Sequence, residues 1–147
     1  CLSRGLGDVY KRQVFDSSLV SKNRKHISSR TKWESMASYS RAVRYKNRIL
    51  VSGTTATHGQ LTIGLNDAVA QTHFILDKIE AAINDLGGSF NDVVRTRVYI
   101  KNLSDWEGIA KAHGERFMNI NPANTMVKAG LIGEEYLVEI EAEAELS

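Results

Sequence analysis

The stretch VVRTRVYIKNLSDWE, Val93 to Glu107, reads as a strand running into a helix. Val94, Thr96, Val98 and Ile100 alternate with Arg95, Arg97 and Tyr99, the period of a strand with one apolar and one polar face. Ser104 and Glu107 have the S-x-x-E spacing of a capping box, which predicts that a helix opens at Ser104. Trp106, Ile109, Ala110, His113 and Phe117 share its inner side, and it ends near Asn119 because Pro122 prevents continuation.

Upstream, Ala68, Thr72, Ile75, Ile79, Ala82, Ile83 and Leu86 recur at steps of three and four, predicting a helix over 68–86. Asn66 or Asp67 caps it and Gly87-Gly88 stops it. Before it, SRAVRYKNRILVSG (Ser40 to Gly53) reads as two short strands joined through Lys46-Asn47. TTATHGQLTIG follows as a glycine-containing loop with room for a short strand. Downstream, NPANTMVKAG (Asn121 to Gly130) holds the only proline and enters a strand over Thr125 to Leu131. The last strand, Tyr136 to Leu146, alternates Val138, Ile140, Ala142, Ala144 and Leu146 with Glu139, Glu141, Glu143 and Glu145.

The order strand, strand, helix, strand, helix, strand, strand predicts an α+β fold, a mixed and mainly antiparallel sheet with both helices packed on one face. The other face then carries Arg95, Arg97, Tyr99 and the glutamates. A self-complementary assembly would cover such a face.

The first thirteen residues, CLSRGLGDVYKRQ, show no hydrophobic period and lack the apolar run of a signal peptide. DVYKRQ back-translates to the end of a transposase adaptor, so residues 1–13 read as a translated sequencing-adaptor scar. Of the 19 basic and 17 acidic residues that stretch holds three and one, so the remainder is formally neutral. The basic balance therefore gives no reason to expect a nucleic-acid partner. The only cysteine, Cys1, falls there too, which sets aside thiolate chemistry and disulfides and fits a cytoplasmic setting. No apolar run approaches the ~20 residues of a membrane span. Residues 14–35 read as an irregular polar extension with a basic KNRK patch, and residues 36–147 as the domain. Val20 and Met36 both stand as candidate starts.

YSRAVR, RILVSGTTAT, VVRTRVYIKNLSDWE, and NPANTMVKAGL with VEIEAEA, in that order, resemble the RidA/YjgF family from about Arg24 to Ser147. The resemblance implies a chorismate-mutase-like subunit, assembled as a homotrimer with small-molecule clefts between subunits. It also implies hydrolysis of reactive enamines and imines such as 2-aminoacrylate, without metal or cofactor. In deaminating members an arginine follows the proline and alanine and clamps the substrate carboxylate through two parallel hydrogen bonds. Here that place holds Asn124, which hydrogen-bonds a carboxylate without neutralising it. Met126 and Ala110 are further departures around the same cleft.

Other matched positions persist. Tyr39 stands where the family has a cleft tyrosine, Ser52 and Gly53 match its pocket-lining Ser-Gly, and Glu139 matches the glutamate that positions the attacking water. Each has a second reading: Glu139 belongs to an alternating glutamate face, Tyr39 and Ser52 sit where a subunit interface would be sealed, and Asn124 suits a strand start. Arg95 and Arg97 either replace the missing charge or pair with glutamates on their own face. His113 is an interior histidine or a donor to a ligand, and His58 in its glycine loop is a weaker candidate. The functional expectation is an imine deaminase. The alternative is a non-deaminating small-molecule binder or regulator on the same scaffold.

Overall fold

A computed structural model of the chain describes residues 15–147, the Val20 side chain excepted. The adaptor-like stretch 1–13 and Val14 lie outside the described residues. In chain order the elements are β1 (Asp16–Ser21), β2 (Arg24–Ser28), α1 (Lys32–Ala37), β3 (Ala42–Tyr45), β4 (Arg48–Thr54), β5 (Thr57–His58) and β6 (Leu61–Thr62). Then come α2 (Ala68–Asp85), β7 (Val93–Ile100), α3 (Trp106–Arg116), β8 (Ala123–Lys128) and β9 (Val138–Glu145). Seven strands form one sheet in the order β1-β2-β3-β4-β9-β7-β8, and β5 and β6 form a separate ribbon. Every neighbour is antiparallel except the β7–β8 pair. The α+β class, mainly antiparallel sheet and two principal helices agree with the sequence expectation.

Helix α2 forms where the periodicity placed it. The Asp67 carboxylate accepts from the Ala70 N–H at 3.0 Å and satisfies one of the free donors of the first turn. At the other end Gly87 takes φ +91°, a turn that side-chain-bearing residues resist. The face so placed is buried: Ile75, Ile79 and Ile83 pack into one core with Ile49, Val98, Ile140, Ala142 and Ala144. Each fully buried aliphatic side chain contributes about 1.5–3 kcal/mol.

Three expectations need correction. Of the extension expected over 14–35, the described residues 15–35 are not irregular: they hold β1, β2 and the start of α1, and β2 pairs with β3. Among the described side chains there, Phe15 and Ile27 are the buried apolar ones, too few to show a period of two, because these strands gain their hydrogen bonds from neighbours whatever their side chains. Val94 does not face the core. The β7–β9 register shifts between Val93 and Arg95, so Val93 is buried and Val94 half exposed. The capping box at Ser104 does not form. A tight turn over Leu103–Asp105 precedes α3, no side chain caps the helix, and Trp106 at its first position is 52 % exposed rather than inward.

The open face of the sheet is charged, as the alternation required. Arg95 stands opposite Glu143, Arg97 opposite Glu141 and Tyr99 opposite Glu139. Tyr99 donates to Glu141 and Arg95 approaches Glu143 at 4.0 Å. Leu50 sits among them, 40 % exposed.

Candidate functional site

A bulge in β4 builds the site. Val51 pairs with Ala142 and Thr54 with Ile140, so three steps on β4 match two on β9. Val51 and Thr54 both point into the core, which leaves Ser52 and Gly53 together on the opposite side. Glu139 meets them there. A Cβ on Gly53 would lie 3.0 Å from Glu139 Oε1, so the absent side chain is what lets the carboxyl approach the backbone.

The corner is tied down from several directions. Ser52 donates through its N–H to the Arg41 carbonyl (3.0 Å) and through its hydroxyl to the Ser40 carbonyl (2.7 Å). The Arg41 guanidinium, 6 % exposed, donates to the Gly53 carbonyl at 2.5 Å, and its Nε has no hydrogen-bond partner among the described residues. Behind it the Glu34 carboxylate collects donors from Ser28 (2.9 Å), the Ser29 N–H (3.0 Å), the Ser29 hydroxyl and Thr31 (2.9 Å). Burial alone would raise the Glu34 pKa, but these hydrogen bonds together hold it below the usual carboxylate value. Tyr39 packs its ring 5.9 Å from the Arg41 guanidinium and is 40 % exposed.

Glu139 is the opposite case. It is half-buried and accepts from no such cluster, so burial pushes its pKa above the usual value. The Arg41 charge offsets part of that rise and Glu141 adds to it. A carboxyl with a raised pKa beside a backbone carbonyl has the properties of a general acid and base.

Asn124 is elsewhere. It lies exposed on β8 at the sheet edge, in register with Thr96, and its Nδ2 donates to Thr96 Oγ1 at 2.9 Å. Thr96 Oγ1 meets His113 Nε2 at 2.8 Å. Thr96 Oγ1 accepts from Asn124 and, with one proton and two lone pairs, can either donate to His113 Nε2 or accept from it. Burial lowers the His113 pKa, which favours the neutral ring. His113 also packs on Phe117, ring centres 4.6 Å apart.

The expected site residues therefore fall into separate groups. Tyr39, Ser52, Gly53 and Glu139 converge on one corner. Asn124 and His113 converge on Thr96 on the helix side of the sheet, and Arg97 stands with the glutamates on the open face. His58 lies edge-on to Phe74 at 6.3 Å, in the β5–β6 ribbon. Arg41, Glu34 and Thr96 were not picked out from sequence. Arg41 was inside a quoted motif, but its role needs the Gly53 carbonyl, which comes close only through the β4 bulge. Among the described residues no group of three or more His, Cys, Asp or Glu side chains is placed to hold a metal ion. No described helix is long and apolar enough to cross a membrane.

Comparison with known proteins places these features in a wider group. The model of the family described as Endoribonuclease L-PSP matches residues 29–146. A solved YjgF-family protein of Mycobacterium tuberculosis is 39 % identical, covers 84 % of this chain and 99 % of its own, and superposes with a TM-score of 0.76. An uncharacterized protein of Streptomyces coelicolor is 33 % identical over 82 % of this chain and 90 % of that protein. The 3-aminoacrylate deaminase RutC of Acinetobacter baylyi is 29 % identical over 71 % of this chain and 84 % of RutC.

Proposed function

The chain belongs to the Endoribonuclease L-PSP family, that of the YjgF proteins, and from this premise we propose that it hydrolyses reactive enamines or imines of small metabolites to a keto acid and ammonia. The observation that carries the reading is the Glu139 carboxyl held against side-chain-free Gly53, whose carbonyl Arg41 fixes. The RutC relative, named for deamination of 3-aminoacrylate, supports the substrate class.

In this reading the protonated Glu139 delivers a proton to the enamine carbon, which gives the iminium ion, the protonated imine. The resulting carboxylate takes a proton from water, the water oxygen adds to the imine carbon, and the carbinolamine expels ammonia. Each turn returns Glu139 to its starting state, and burial, which raises its pKa, favours the protonated form that the first step needs. The working unit is a homotrimer, in which the Asn124 and His113 group of one subunit faces the Glu139 corner of the next. The charged open face with Leu50 exposed in it supports an assembly of this kind.

A second reading rests on Asn124. Its amide is engaged with Thr96 and carries no charge, an arrangement that suits an uncharged ligand and a cleft that binds without deaminating. One experiment separates the two. 2-Aminoacrylate is generated in situ and ammonia release is followed for wild type, Glu139→Ala and Asn124→Arg, with sedimentation of each. Hydrolysis by wild type that Glu139→Ala abolishes supports the deaminase. Silence in wild type with activity gained by Asn124→Arg supports the binder, and a monomer in sedimentation removes the shared cleft from both.

A further inference from the structure

A second polar site adjoins the Arg41–Glu34 side of the Glu139 corner, beneath the β5–β6 ribbon. It is a cavity of about 750 Å³ whose wall includes Lys78, Thr57, Tyr136, His58, Arg30 and Lys32. Lys78 projects from α2 and is the one lysine buried among the described residues, 7 % exposed. Its Nζ donates to the carbonyls of Thr57 (2.7 Å) and Thr55 (3.3 Å). A neutral amine has two N–H bonds and one lone pair. Two carbonyl acceptors occupy both N–H bonds and leave the lone pair free.

We propose that Lys78 is a nucleophilic amine, and that it forms a reversible imine with small carbonyl compounds bearing an acidic group that enter this cavity.

Its surroundings favour the neutral form. Burial first, and then the Arg41 guanidinium of the segment before β3, push the Lys78 pKa down to about 7, against the opposing carboxylate of Glu34 on α1. A desolvated lysine near a second cation is one of the ways proteins activate an amine. The other charged or titratable groups in the wall are Arg30, Lys32, Glu135, His58 and Tyr136. Lys32 is the wall's cation that an acidic group on the ligand would meet, and Glu135 is the single carboxylate there. Arg30 itself is held by Asp16 at the rim.

The step balances without a further reactant. The Nζ lone pair adds to the carbonyl carbon as the carbonyl π bond breaks, and the oxygen takes up a proton. That oxygen leaves as water with a second proton, the two amine protons being given up, one to the water and one to restore the donor, and the nitrogen lone pair forms the C=N bond. Thr57 donates to Tyr136 Oη at 2.6 Å, so the Tyr136 proton stays available for the departing oxygen. Thr57 thus brackets both groups, its carbonyl on Lys78 and its hydroxyl on Tyr136.

The test is reductive trapping on the full chain at pH 7. The protein is incubated with glyoxylate and cyanoborohydride and the modified lysines are mapped by mass spectrometry. Lys78 is expected to be labelled about tenfold faster than exposed Lys46 or Lys128, since an ordinary lysine near pKa 10.4 is almost wholly charged at pH 7. Label spread over exposed lysines with Lys78 untouched overturns the proposal. Propanal in place of glyoxylate should label Lys78 more weakly, and equal labelling overturns the requirement for an acidic group. Lys78→Met should lose the site-specific label, but the wild-type map decides even if that variant does not fold. No hydrolysis is measured and neither Glu139 nor Asn124 is needed, so failure here is distinct from failure of the deaminase reading.

Discussion

The corner at Glu139 and the edge at Asn124 are built on different principles. At the corner, backbone and side chains from α1, β4 and the segment before β3 converge within one chain. Ser52, Gly53 and Arg41 are held by partners in other elements, and Glu34 by a dense set of donors in the turn before its helix. At the edge, one exposed amide hangs on a single threonine, with a histidine behind it. The first arrangement is complete before anything binds. The second is half a site, awaiting a neighbour or ligand on its open side. Pre-organised groups perform chemistry, and adaptable ones choose what is presented to them.

The comparison breaks most sharply at Glu139. Glu139→Ala should cut imine hydrolysis at least about a hundredfold with the fold retained, measured as ammonia release and by circular dichroism. Stability should move the other way. The folded state disfavours the charged form of Glu139, so its contribution is full below the ordinary carboxylate pKa and is lost as pH rises through the raised value. Glu139→Gln should therefore raise the melting temperature at pH 7 and leave it nearly unchanged at pH 4.

Glu34 should show the reverse sign. Glu34→Ala leaves the Ser29 N–H and three hydroxyls without their acceptor and should cost about 1–3 kcal/mol in urea denaturation at pH 7. Its folded pKa is lowered, so the carboxylate's contribution is present above the ordinary value and disappears as pH falls through the lowered one. A wild-type advantage that does not shrink as pH falls below the ordinary carboxylate range would contradict this account.

The edge should respond through ligand and not through stability. Asn124→Arg places a guanidinium on an exposed strand and should tighten carboxylate-bearing substrates about tenfold in KM, worth about 1.4 kcal/mol. Asn124→Ala should change stability by less than about 1 kcal/mol, because the amide is exposed and only Thr96 loses a partner. A larger loss would mean that the edge is as tightly built as the corner.

The same contrast explains what was legible in the sequence. Helix α2 and strand β9 announce themselves because each buries a continuous apolar stripe, and the period of that stripe is local information. Strands β1 and β2 bury almost nothing and could not be read. Gly53 and Glu139 came forward by resemblance, 86 residues apart, whereas Arg41 did not. Its function is a hydrogen bond to a carbonyl that the bulge turns toward it, and no spacing rule encodes a bulge. Ser104 failed for a related reason: the S-x-x-E signature was present, but the chain used those residues in a tighter turn.

That bulge also separates inheritance of the fold from inheritance of the site. Loss of a single codon at Ser52 or Gly53 would let β4 run straight, with Ala142 and Ile140 still facing the same inward residues. The ladder would heal, the core would keep its register, and the gap that admits Glu139 would be gone. A descendant with that one deletion would fold like its parent and be recognised as kin, yet the corner on which hydrolysis is proposed to depend would be missing.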